Sequence, residues 1–214
     1  MTSISDRARA AGIRIAAAAL MLALTGCALP LPDKPVRPQP YDLGPPLPVA
    51  ADAAPDGPAL ALDRVESSAA IDGTAIIYRL AHSDGGQQPR PYAQARWTMS
   101  PPQLITQRLR EAFSATRPVV EAGAGLAQIE LRAELDEFAQ IFSSPEASEG
   151  VVRLRVTAIA PTAKTSRLLG QRTFSVRQPA ATADAVGGVT ALRAATDEAV
   201  RQVVAWVNAL PPPR

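Results

Sequence analysis

The side chains of this 214-residue chain that could carry out chemistry are few and lie far apart. His82 is the only histidine, and it stands beside the turn signal 83–86 without a neighbouring nucleophile, so we expect a solvated loop residue rather than a catalytic base. Asp136 and Glu137 are adjacent, and a regular strand would direct them to opposite faces, which does not make an acid–base pair. No His/Cys/carboxylate cluster has metal-ligand spacing, and the glycines of 123–125 lack the lysine of a phosphate-binding loop. The sequence therefore predicts a protein that is not an enzyme and that holds no cofactor or metal.

The one side chain with a clear chemical fate is Cys27, the only cysteine, which ends the motif Leu24-Thr25-Gly26-Cys27. Three arginines and then the apolar run 15–24 precede it, which is typical of a secretory signal peptide. The run is too short to span a bilayer core of roughly 30 Å. Leucine, a small residue, glycine and cysteine form the pattern of a bacterial lipobox, in which the thiol is diacylated, the chain is cut before the cysteine, and the new amine receives a fatty acid such as palmitate. We predict a signal peptide over 1–26 and lipid attachment at Cys27; the alternative is an ordinary signal peptide that contains a cysteine.

The charge balance argues against nucleic acid as a partner. The chain has 22 basic and 20 acidic residues, but three of the basic and one of the acidic residues precede Cys27. The remainder therefore holds 19 of each and has no net charge, whereas a nucleic-acid-binding protein normally carries a basic excess.

A proline-rich stretch separates the lipobox from the folded part. Ten prolines fall within residues 28–58, a composition that favours an extended chain without a core of its own. Tyr41 and Leu43 interrupt it at alternating positions, which predicts a short edge strand near 41–44. We therefore assign 27–58 to the lipidated cysteine and tether, 59–210 to one folded domain, and 211–214 to a tail.

The pattern of apolar residues in the folded part predicts an α+β domain. Apolar residues alternate, as in strands with one buried face, over residues 60–62, 76–80, 92–97, 129–135, 152–158 and 174–176. The apolar phase slips by one after Asp136-Glu137, which predicts a β-bulge. Helical spacing follows Ser100 up to about 115 and returns from about 183 to 210. We predict a mixed or antiparallel sheet covered on one face by two helices.

Two features have both a binding and a packing interpretation. Tyr92, Arg96 and Trp97 could form a protein-binding hot spot, or Trp97 could fill the space between sheet and first helix while Arg96 faces solvent. Val200, Val204 and Val207 widen the apolar stripe of the closing helix, which could pack on its own sheet alone or also on a second copy of the chain.

The order of these motifs resembles one family. After the lipobox come Tyr41-x-Leu43-Gly44, then Ile77-Tyr78-Arg79, then Tyr92-Ala93-x-x-Arg96-Trp97, and Pro101-Pro102 at a helix start. This pattern is similar to that of the ABC-type transport auxiliary lipoproteins, which include the PqiC-like proteins, and it extends from Tyr41 to the closing helix. The proline-rich stretch continues further, to Pro58, than is typical of the family.

The resemblance implies an accessory lipoprotein of a lipid-transport system that maintains the envelope. Its partners would be a mammalian-cell-entry (MCE) domain protein, an ABC permease and an ATPase, and it would lie on the periplasmic face of the outer membrane of a Gram-negative bacterium. Ala28, rather than an aspartate, follows the cysteine, which by the same resemblance fits outer-membrane sorting. The residues leave two alternatives open: a lipoprotein regulator of a peptidoglycan synthase, and a lipid-binding chaperone with its own cavity.

Overall fold

The structure, a computed structural model, describes residues 37–46, 57–84, 86–123, 125–162 and 166–211. The predicted signal peptide, Cys27 and the first part of the predicted tether lie outside these residues. No helix among the described residues is long and apolar enough to cross a membrane.

The described residues form nine strands and two helices. The strands are β1 (Gln39–Tyr41), β2 (Leu60–Leu62), β3 (Glu66–Ser67), β4 (Ala75–Leu80), β5 (Arg90–Trp97), β6 (Val119–Val120), β7 (Ile129–Phe142), β8 (Ser148–Pro161) and β9 (Ser166–Pro179). The helices are α1 (Pro101–Ser114) and α2 (Ala185–Asn208).

All nine strands belong to one mixed sheet with β7 at its centre. Along one edge β7 pairs antiparallel with β8, and β8 pairs antiparallel with β9. Along its other edge β7 pairs in turn with three short parallel strands, β2, β3 and β4. From there β5 joins β4 antiparallel and β1 joins β5 parallel, while β6 joins β2. The α+β class with a mixed sheet and two helices is confirmed.

The three long strands follow the predicted alternation. Val152, Leu154 and Val156 are buried on the helix-covered face of β8, while Arg153 is exposed on the other face. The register between β7 and β8 shifts between Leu135 and Glu137, so the predicted bulge is confirmed. Buried side chains of β7, β8 and β9 pack with those of both helices in one hydrophobic core.

Both helices have capped starts, and the cap of α1 is at Ser100, as the sequence predicts. Ser100 precedes Pro101, and the Gln103 side chain accepts a hydrogen bond from the Ser100 backbone N–H at 3.1 Å. Asp184 caps α2, because its carboxylate accepts a hydrogen bond from the Gly187 N–H at 2.8 Å.

Two glycines allow α2 to approach the sheet closely. A Cβ on Gly150 of β8 would lie 2.5 Å from the Leu192 backbone nitrogen, and one on Gly188 would lie 2.0 Å from Gln140 Oε1. The glycines at the start of α2, which weaken a helix on propensity alone, are therefore required by packing.

The predicted position of the first strand differs from the structure. This strand is at Gln39–Tyr41 rather than near 41–44, because after Tyr41 the chain leaves the sheet and is bound by Arg108 of α1. β1 pairs with β5, so this part of the predicted tether is a strand of the sheet. The wide apolar stripe of α2 is largely used within the chain, because Val200 and Val207 are buried in its own core.

Candidate functional site: an arginine-held strap and an aromatic groove

Residues 42–45, which we call the strap, connect β1 to the rest of the proline-rich stretch. Leu43 is buried in the core, so the strap is anchored by an apolar side chain. Gly44 has φ +66°, a left-handed conformation that favours glycine. The Asp42 carboxylate stabilises this turn by accepting a hydrogen bond from the Gly44 N–H at 2.7 Å.

The side chain of Arg108, in α1, binds the backbone of the strap. Its side chain is only 3% exposed, and its guanidinium donates hydrogen bonds to the carbonyls of Leu43, Gly44 and Pro45, the last at 2.8 Å. A planar guanidinium has five N–H donors, so one side chain can bind several carbonyls at once. Arg108 therefore ties the segment that follows β1 to the helical layer.

The charge of Arg108 is balanced by carboxylates from both helices. Its Nε lies 3.2 Å from Asp197 Oδ1, and its Nη1 lies 3.5 Å from Glu111 Oε2. The Asp197 contact is an ion pair without a well-aligned hydrogen bond, since Oδ1 accepts none in the described chain. Burial raises the pKa of the Asp197 carboxyl above its ordinary value, and the nearby Arg108 and Arg193 only partly offset this effect.

A shallow groove of about 460 Å³ lies between β1, β5 and the start of α2. Its walls carry two tyrosines, three alanines and one valine, together with three polar residues: Tyr41, Tyr92, Ala93, Ala95, Ala185, Val186, Gln39, Gln94 and Asp184. Val186 is 56% exposed, so its apolar side chain is accessible at the groove. The groove thus presents apolar and aromatic surface beside the strand that leads to the strap.

Tyr92 is fixed by a buried polar network. Its hydroxyl donates to Gln140 Oε1 at 2.8 Å, and the fully buried Gln140 amide donates to Ser148 Oγ at 2.8 Å. The Tyr92 ring lies 4.7 Å from the ring of Tyr78. Burial, with smaller contributions from Tyr78 and Asp184, raises the pKa of Tyr92 to about 12.

Two polar groups of the groove, the Tyr92 hydroxyl and the Asp184 carboxylate, already have partners within the protein. The Tyr92 hydroxyl is bound to Gln140, and the Asp184 carboxylate caps α2 and accepts a hydrogen bond from the Thr182 hydroxyl, which together lower its pKa. In the described ranges no group of three or more His, Cys, Asp or Glu residues is placed to hold a metal ion.

The structure separates the three residues that the sequence grouped as an interface. Tyr92 lines the groove, Arg96 is exposed on β5 and does not line it, and Trp97 is 1% exposed in the core. The Trp97 ring packs edge-on against Phe138 with centroids 5.5 Å apart, so its packing interpretation is confirmed. A role of Tyr92 or Arg96 in binding a partner stays a prediction, as does lipid attachment at Cys27, which lies outside the described residues. His82 is exposed in its loop, with Nδ1 3.3 Å from the Phe142 carbonyl.

Sequence reasoning missed Arg108 and Gln140, the two polar residues on which this region depends. A signal for each was present in the sequence. Arg108 interrupts the apolar face formed by Ile105 and Leu109, and Gln140 lies at an inward position between Phe138 and Phe142. A polar residue on a buried face requires a partner, which is the signal that could have identified both.

Comparison with known proteins gives a family and two structures of the same fold. Residues 41–204 match the family described as ABC-type transport auxiliary lipoprotein component. A Xanthomonas campestris protein of the DUF330 family is similar in structure, with a TM-score of 0.64 and 16% identity over 79% of this chain and 94% of that protein. A second protein, described as uncharacterized, has a TM-score of 0.60 and 12% identity over 80% of this chain and 99% of its own. No protein among the curated sequences matches the chain.

Proposed function

Because this chain belongs to the ABC-type transport auxiliary lipoprotein family, we propose that it is a non-catalytic, lipid-anchored subunit that docks an MCE-domain protein of a lipid transporter. It would act on the periplasmic face of the outer membrane and help to maintain envelope integrity. The family match over residues 41–204 carries the proposal, and the geometry of the strap and the groove fits it.

The mechanism we propose is positional. Acyl chains on Cys27 would hold the chain at the membrane, and at least two are needed because a single chain binds only marginally. Nine residues separate Cys27 from Arg37, which at about 3.1 Å per residue allows a reach of roughly 28 Å. This short reach would raise the effective concentration of the domain for a partner at the same surface.

The strap would strengthen the attachment of β1, the strand that the tether enters, to the rest of the domain. A tether joined to the domain only through β1 would be weakly attached, since a three-residue strand forms few hydrogen bonds with the sheet. Arg108 adds contacts to three consecutive carbonyls of the strap and ion pairs to α1 and α2. These contacts would help to keep β1, the strand that the anchored segment enters, attached to the domain.

The groove is the surface we propose for the partner. It lies beside the strand that leads to the strap, and its exposed apolar side chain, Val186, stands next to the tyrosines. Aromatic residues in a concave apolar surface are typical anchors of protein interfaces.

Affinity purification of the lipidated protein from gently solubilised envelopes, followed by mass spectrometry, tests the proposal. We expect an MCE-domain protein to co-purify, and to be lost when Val186→Glu places a charge in the groove. Arg64→Glu, an exposed change away from the groove, is the matched control. Recovery of a peptidoglycan synthase in place of any transport protein would overturn the proposal in favour of the regulator.

A further inference from the structure

The strand β9 forms one outer edge of the sheet. It runs for 14 residues, Ser166–Pro179, and it pairs along its length with β8. Its other edge pairs with no strand among the described residues. An open edge of this length is a template on which a further strand can form hydrogen bonds.

The register identifies which backbone groups of β9 point outward. The Ala180 N–H donates to the Ser148 carbonyl at 2.9 Å, so the even-numbered residues of β9 face β8. The register is regular from Gly170 to Pro179, so the outward N–H and C=O groups belong to residues 171, 173, 175 and 177. Pro179 follows this series at an outward position, where its missing N–H removes no bond to β8.

The charged side chains of β9 indicate what kind of strand could bind at this edge. The strand contains three arginines, Arg167, Arg172 and Arg177, and no acidic residue. Arg177 pairs with Glu149 of β8, and the Arg172 guanidinium lies 5.3 Å from the centroid of the Phe174 ring. Pairing β9 with β9 of a second copy would add three more arginines and no carboxylate from that strand, so the two strands would form no ion pair with each other. An acidic strand would gain favourable cross-strand pairs instead.

We propose that the free edge of β9 binds an extended, acidic segment of a partner protein, which adds a strand to the sheet. Main-chain hydrogen bonds to residues 171–177 supply the affinity, and the arginines select the charge. This inference rests on the proposed docking role, because it specifies the chemistry of one segment of the docked protein. The groove at β1 and the edge at β9 lie at opposite ends of the strand order, so one partner would contact both only if it spans the sheet.

The probe for this edge is a labelled ten-residue peptide of alternating glutamate and valine, titrated onto the full lipidated protein in detergent micelles and followed by fluorescence anisotropy. A matched peptide carries N-methyl groups on alternate residues, so it keeps the charge but loses the hydrogen bonds of one edge. We expect the N-methylated peptide to bind at least tenfold more weakly. We also expect the parent peptide to slow amide hydrogen exchange over residues 170–178.

Variants of the protein test the same contact from the other side. Thr173→Pro removes one outward N–H and keeps the bonds to β8. The double change Arg167→Glu and Arg172→Glu reverses the charge of both side chains. Each variant should bind the parent peptide at least tenfold more weakly than wild type. Arg64→Glu, which is exposed and away from β9, should leave binding within twofold. The double variant keeps the test valid if the proline variant does not fold.

Several outcomes would overturn the inference. Equal binding of the parent and N-methylated peptides would show attraction by charge alone, and no binding at millimolar peptide would show that the edge is closed. If a transport protein co-purifies equally well with wild type and with the double variant, the docking role stands and the edge inference fails. If the peptide binds as expected but no transport protein co-purifies, the docking role fails.

Discussion

Arg108 is the residue on which the attachment of the strap depends. Removing a buried, paired arginine leaves Asp197 without its main partner and three strap carbonyls without donors, so we predict that Arg108→Ala lowers the free energy of unfolding by about 3–5 kcal/mol. Urea denaturation measures the loss. Arg110→Ala is the matched control, since Arg110 pairs with the largely exposed Glu121 and should cost no more than about 1 kcal/mol. Equal losses for both variants would contradict the account of the strap.

Trp97 and Arg96 are neighbours with different environments. Trp97 is buried in the core, and Trp97→Ala should therefore lower the free energy of unfolding by about 3–5 kcal/mol. Arg96 is exposed, and Arg96→Ala should change stability by less than about 0.5 kcal/mol. Thermal and urea unfolding of both variants check the contrast, and a stable Trp97→Ala protein would contradict the burial of the indole.

We predict that the Tyr92 hydroxyl loses its proton at a higher pH than an ordinary tyrosine does. Its pKa is raised to about 12, so the folded protein keeps the phenolic proton at a pH where an unfolded chain, with a pKa near 10, releases it. The corresponding contribution to stability is complete below pH 10 and is lost as the pH rises from about 10 to about 12. The absorbance at 295 nm of wild type minus Tyr92→Phe isolates this residue among the three tyrosines. A midpoint near pH 10 in the folded protein would contradict the buried network with Gln140.

At the scale of elements, the contact between α2 and β8 sets the spacing of the two layers. In a strand, alanine is ordinarily preferred to glycine, yet a Cβ on Gly150 would meet the backbone of α2 at 2.5 Å. We predict that Gly150→Ala lowers the free energy of unfolding by about 1–3 kcal/mol through overpacking. Gly73→Ala is the control, because a Cβ there has no atom within 4 Å. Unfolding curves that shift equally for both variants would argue against this close approach.

The elements that the sequence predicted well are those with a strict apolar period. The alternation in β7 and β8 and the capped start of α1 follow from local residue types, and so does the bulge after Leu135. The pairing of β7 with the parallel strands β2, β3 and β4 could not be predicted, because the apolar period of a strand does not indicate which strand it pairs with. The first strand was predicted too far toward the C-terminus. Leu43 is buried in the core although it lies beyond the end of β1, so its alternation with Tyr41 did not indicate a strand.

The candidate site was less predictable than the fold. The register between β4 and β5 shifts between Ala75 and Ile77, and of Tyr92, Arg96 and Trp97 only Tyr92 lines the groove, although the three are close in sequence. The strap depends on contacts between residues more than 60 positions apart, such as Arg108 and Leu43. Charge and composition carry no information about such long-range pairs.

At the scale of the whole molecule, attachment to the membrane depends on Cys27. Without its thiol no lipid can be added, so we predict that Cys27→Ala accumulates as an unprocessed precursor in the inner membrane. Membrane fractionation and intact mass measure both properties. Ala28→Asp is the matched variant: it should be lipidated and cleaved normally but retained in the inner membrane. Normal outer-membrane localisation of Cys27→Ala would contradict the lipobox assignment.

The central claim, that this chain docks a protein of a lipid transporter, is tested most directly by photo-crosslinking in intact cells. A photoreactive amino acid is placed singly at Val186 in the groove, at Thr173 on the β9 edge and at Arg64 as a control, and the crosslinked proteins are identified by mass spectrometry. The account predicts crosslinks to an MCE-domain protein from Val186 and to an extended acidic segment of a partner from Thr173, with neither from Arg64. Crosslinks from Val186 and Thr173 only to a peptidoglycan synthase, or none from either position, would contradict it.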